Sequence, residues 1–180
     1  MGGKPANDAD NQQQTDQPSK KAKTSSFPHH AMNIDDCLDT KAHEQSVHEI
    51  LELPVEKLKG FGDKVDPAYE QLGIKTIRDF GMWKCANIAN AMVALSDKEI
   101  ENARSETSKF NLDAVVRPEH TTKSLNELIR MGLSTFVDID PNAEKAFKKL
   151  RINSIEKLGT NRQFLIARAL CDIEEAEMVD

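Results

Sequence analysis

The chain has 180 residues, 38% of them hydrophobic and 30% charged, with a net charge of −6; this balance suits a small helical domain with a polar tail and argues against a surface built to coat nucleic acid. No apolar run approaches the roughly 18 residues of a membrane span and nothing at the N-terminus reads as a signal peptide, so a soluble intracellular protein of the cytoplasm or nucleus is expected, an organelle being left open. Cys37, Cys85 and Cys171 form an odd, widely spaced set without a C-x-x-C pair, which supports neither a disulfide framework nor a zinc knuckle.

Residues 1 to about 40 are rich in Asn, Gln, Asp, Ser, Pro and Lys and lack apolar periodicity. Such a segment buries too little surface to offset its ordering entropy and is expected to be a disordered tail. Met1-Gly2-Gly3 opens like an N-myristoylation signal, but Ala6 stands where that signal prefers Ser or Thr. The cluster Lys20-Lys21-Ala22-Lys23 reads as solvated lysines, and His29, His30 and Cys37 lack the spacing of a structural metal site.

From residue 46 the sequence matches itself. Residues 46–94 align with 124–172 at a constant offset of 78, without a gap. Identical residues recur at Ser46/Ser124, Glu49/Glu127, Ala68/Ala146, Leu72/Leu150, Ile74/Ile152, Ile77/Ile155, Gly81/Gly159, Ala89/Ala167 and Ala91/Ala169, well above the roughly three that composition alone gives. Like-for-like swaps include Tyr69/Phe147 and Thr76/Ser154.

The alignment predicts an all-α fold made of two copies of one short-helix module, 41–95 and 124–175, behind the tail. Ser46 with Glu49 and Ser124 with Glu127 have the spacing of capping boxes, which would open each module with a helix. In the second helix Val65, Ala68, Tyr69 and Leu72 recur as Ala143, Ala146, Phe147 and Leu150, the stripe of a helix with one buried face. Thr76 and Ser154 suit N-caps of a short third helix closing at Gly81 and Gly159. A largely apolar helix then ends each module, at roughly 82–95 and 161–173, the latter opened by Thr160 in a capping box with Gln163. Between the modules, 96–123 is expected to hold a connecting helix from Ser96 to about residue 107 and then a loop, and 176–180 is a short acidic C-terminus.

The run 58–80, with the hairpin Gly60-Phe61-Gly62, then Lys64, the Leu72-Gly73-Ile74 turn and Lys75-Thr76-Ile77 with Asp79, resembles the helix-hairpin-helix domains of the wider SAM-like group of all-helical folds. That resemblance implies a helical-hairpin fold and, as a DNA-binding function, Gly60, Phe61, Gly62 and Lys64 as a phosphate-binding turn. The second copy has Asp138-Ile139-Asp140 at that place, where two carboxylates would repel a phosphate.

The copies differ most in charge. Residues 46–94 hold six Lys or Arg and seven Asp or Glu, and 124–172 hold eight and six. The excess gathers at Lys145, Lys148 and Lys149, opposite the buried stripe, with Arg151 just beyond. We expect this patch to be the contact surface of a non-catalytic adaptor or scaffold subunit that binds another protein, nucleic acid being the alternative partner. No phosphate loop, nucleophile elbow or H-E-x-x-H occurs, His48 and His120 read as exposed, and Asp140 before Pro141 reads as an N-cap. No enzyme activity, cofactor or metal is expected.

Overall fold

The computed structural model describes residues 1–2, 32–62 and 66–176, of which those from Asn33 onward form one compact unit. The described residues are all-α, with eight α-helices and no strand: α1 (Val47–Leu51), α2 (Pro67–Gln71), α3 (Ile77–Met82), α4 (Lys84–Ser96), α5 (Leu125–Leu128), α6 (Pro141–Lys149), α7 (Ile155–Gly159) and α8 (Arg162–Glu174). The readings placed on 3–31, on Lys64 and on 177–180 fall outside the described residues.

The helices begin where side-chain chemistry dictates. Ser46 and Ser124 each accept from the amide three residues on while Glu49 and Glu127 bond back to the cap amide, so both expected capping boxes form. Thr76 does the same with Asp79, and Ser154 accepts from the Lys157 amide. Asn161, rather than Thr160, caps α8, because the Thr160 hydroxyl donates to the Glu156 carbonyl and closes α7 instead.

Most α-helices have a counterpart 78 positions away. The 3-10 turns Val55–Lys57 and Leu133–Thr135 coincide at that offset, as do α4 and α8, while α6 starts earlier than α2. Backbone bonds match as well: Lys59 N–H donates to Cys37 O and Val137 N–H to Val115 O, each at 3.0 Å, and Ile77 and Ile155 donate to Leu53 and Met131 at 2.9 and 3.0 Å. Single bridges join Leu38 to Leu58 and Val116 to Phe136. The correspondence therefore reaches further towards the N-terminus than the sequence alignment, giving halves of 34–96 and 112–174.

Two expected boundaries move as a result. Residues 33–40 do not belong to a tail: Ile34–Cys37 forms a 3-10 turn and Leu38 lies in the core. A truncation at residue 41 would expose that core. The connecting helix expected from Ser96 is not formed either, since α4 runs through Ser96 and no helix follows before Pro118. Glu99, within that stretch, accepts from the Leu125 and Asn126 amides at 2.7 and 3.1 Å and so satisfies the open end of α5. Its carboxyl is held low by those bonds despite partial burial.

The halves pack reciprocally, α3 on α8 and α7 on α4. Gly81 and Gly159 stand at the ends of α3 and α7, as expected, and they also lie where backbones nearly touch. A Cβ on Gly81 would sit 2.6 Å from the Ala167 carbonyl oxygen, and one on Gly159 would sit 2.5 Å from that of Ala89. Gly81/Gly159 and Ala89/Ala167 are all identical pairs at the offset of 78, so one close-approach contact is used twice. The equivalent rings of Tyr69 and Phe147 meet edge to face at 4.8 Å where the halves face each other, and the buried Tyr69 hydroxyl donates to the Ala146 carbonyl at 3.0 Å. From there an aromatic ladder runs through Phe61, Phe80 and Phe164 on one side and to Trp83, stacked on Phe147, on the other.

Candidate functional site

The basic patch stands on α6, which Asp140 caps through the Asn142 and Ala143 amides with Pro141 at the first helical position. Ala143, Ala146 and Phe147 are buried as the stripe predicts, and Lys145, Lys148 and Lys149 share the exposed side. Glu144 is the residue the periodicity missed. It lies buried, accepts from the Ser134 amide at 2.9 Å and occupies the space that Gly132 leaves by lacking a side chain. Burial pushes its carboxyl up, but bonds from Lys148 and Ser134 outweigh this and hold it below the usual range.

The four expected contact cations therefore differ. Lys148 pairs with Glu144 at 2.6 Å, and Lys149 pairs at 2.6 Å with Asp66, the N-cap of α2 in the other half. Neither is the unengaged lysine that the sequence suggested. Lys145 and Arg151 are exposed and form no ion pair with a described residue.

Arg151 carries a second feature. Helix α6 ends with Arg151 N–H donating to Lys148 O and Ile152 N–H to Phe147 O, both at 3.0 Å, which is a Schellman closure. That closure needs a left-handed residue, and Arg151 has φ +63° where Gly73, its counterpart after α2, has φ +75°. An L-residue pays about 1–2 kcal/mol for this conformation. Its charge and those of Lys148 and Lys149 also sit at a helix C-terminus, which favours cations.

The hairpin implied by the helix-hairpin-helix resemblance is turned inward. Gly60 and Gly62 have φ of +88° and +44°, as a tight turn requires, and Phe61 between them is a core residue. The Gly60 amide donates to the Asp39 carboxylate at 3.3 Å, Gln163 donates to the Lys59 carbonyl at 3.1 Å, and Asp39, Glu56 and Lys57 line the cleft beside Gly62. Two carboxylates against one lysine thus flank the place a phosphate would take. In the second half, Ile139 is fully buried and Asp140 is engaged in capping.

Sequence reasoning also missed an ion-pair cluster joining the halves. Arg78 on α3 bonds Glu174 at the end of α8 through both terminal nitrogens, Nη2 to Oε1 at 2.7 Å, and its Nε reaches Glu52 at 2.7 Å. His48, exposed as expected, lies 2.8 Å from Glu174. These bonds, Arg78 first, hold the Glu174 carboxyl down at about 2. A depressed acid contributes stability that is complete above its ordinary value of 4.5 and lost as pH falls towards 2. Acid titration of unfolding should therefore show stability falling between about 4.5 and 2, and Glu174→Gln should make that slope shallower by nearly one proton. An unchanged slope would mean that the cluster does not form in solution.

His120 differs from expectation, being half-buried with Nδ1 shielded and without a hydrogen-bond partner among the described residues. No three His, Cys, Asp or Glu among the described residues are grouped to hold a metal ion, and no described helix is long and apolar enough to cross a membrane.

No family model, curated protein or solved structure matches this chain. The arrangement of its own residues is therefore the basis for reading its function.

Proposed function

We propose that the chain is a non-catalytic helical binding module, built from two copies of one unit, that docks an acidic surface of another protein on the basic end of α6. The observation that carries this reading is Arg151. A charged residue stands in a left-handed position where the matching turn has glycine, and on the helix that precedes it Lys145 is exposed and forms no ion pair with a described residue. Structure alone would favour Gly there; a contact through the guanidinium gives a reason for Arg.

Arg151→Gly separates the two roles. It relieves the backbone strain, and after allowing for the extra freedom of Gly in the unfolded chain it should raise stability by about 0.5–1 kcal/mol. The same change should weaken capture of partner from a native extract, and Lys145→Glu with Arg151→Glu should weaken it roughly tenfold, mainly by slowing association. If both variants capture every partner as well as the parent does, the patch is a solvated face and the proposal fails. Nuclease treatment and salt decide the partner class, because phosphate contacts weaken steeply with salt and vanish with the nucleic acid, whereas a packed protein interface responds far less.

A further inference from the structure

The contact between the halves has the form of an interface between two identical partners. Gly81 meets Ala167 while Gly159 meets Ala89, and the equivalent Tyr69 and Phe147 face each other, so residue i touches j and the counterpart of j touches the counterpart of i. That reciprocity defines an isologous contact. It is buried and largely aromatic or small-residue, so neither half would leave it open to water.

The connection between the halves is of the opposite character. Residues 97–111 contain no helix, all but Glu99 are exposed, and Asn102 takes φ +57°. Fifteen extended residues reach about 50 Å. The bonds tying its start to the second half are those of Glu99 to Leu125 and Asn126 and of Asn126 to the Ser96 carbonyl.

We infer that a second copy of this chain is a partner for this seam: two chains exchange halves, each first half packing on the other chain's second half. Within one chain the short connection keeps the halves at high effective concentration, so the closed monomer dominates in dilute solution. The swapped dimer repeats every seam contact and alters only the connection.

The Arg78–Glu174 pair, which spans the seam in the single chain, provides the test. Full-length Arg78→Glu places its new carboxylate beside those of Glu174 and Glu52 in its own monomer, and full-length Glu174→Arg places two cations together. A swapped dimer with one chain of each variant restores opposite charge at both sites, whereas a dimer of either variant with itself does not. Equimolar variants, unfolded and refolded together at high concentration, should give a species of twice 20.1 kDa containing one chain of each, at a share roughly tenfold above either variant alone. If neither variant folds by itself, recovery of folded heterodimer from the mixture reads the same way. A mixture that yields only monomers with the properties of the separate variants, or no folded protein, overturns the inference.

Discussion

Gly159→Ala should destabilise the protein by about 3 kcal/mol, and Gly81→Ala by a similar amount. The sign is informative, because Ala inside a helix is ordinarily favoured over Gly by about 1 kcal/mol. Here the added carbon would lie 2.5 Å from the Ala89 carbonyl oxygen at Gly159 and 2.6 Å from that of Ala167 at Gly81. These atoms belong to helix backbones, which cannot rotate aside as a side chain does. Accommodating the methyl group means separating α7 from α4 or α3 from α8 and loosening the side chains packed between them. Denaturant unfolding of the two variants, read from the single Trp83, gives the comparison. Parent-like or raised stability in either would mean that the helices at that seam do not approach this closely.

What was legible in the sequence is what local chemistry determines. Ser46 with Glu49, Ser124 with Glu127, Thr76, Ser154 and Asp140 each mark a helix start through bonds made within a few residues, and all of them cap as read. The helical period likewise placed Ala143, Ala146 and Phe147 inside and the lysines of α6 outside. The failures involve partners distant in the chain. Glu99 caps a helix 26 residues away, Lys149 reaches Asp66 across 83, and Arg78 reaches Glu174 across 96. Nothing near these residues distinguishes them from solvated charges.

The glycines show the same limit more subtly. Their recurrence at positions 81 and 159 was visible and marked helix ends correctly, but local chemistry could not show the approach of backbones from opposite halves that also requires them. The self-alignment held the clue, since Ala89 and Ala167 recur at the same offset and are the residues these glycines meet. Leu38 was missed because the apolar residues Ile34, Cys37 and Leu38 form too short a run in a polar stretch to establish a period. Its bridge to Leu58 becomes recognisable only beside that of Val116 to Phe136.

The second large effect is expected at Phe147. Its ring is fully buried, stacks on Trp83 at 5.1 Å with the planes 3° apart, and takes the edge-to-face contact of Tyr69. Truncation to Ala should cost about 3–5 kcal/mol through lost burial and the cavity left behind. In a domain of ordinary stability that is a third or more of the total, equivalent to a melting temperature roughly 10–15 °C lower. Trp83 is the only tryptophan and loses its stacking partner, so its emission should shift to the red in Phe147→Ala while the protein is still folded. Phe147→Leu separates the two contributions: it keeps much of the burial and should recover more than half of the lost stability, yet it cannot restore the stacked ring or the parent emission. Tyr69→Phe tests the other side of the same junction, removing only the hydroxyl that donates to Ala146, and should cost about 1–2 kcal/mol with little change at Trp83. If Phe147→Ala leaves both emission and stability close to the parent, the junction between the halves does not run through this ring.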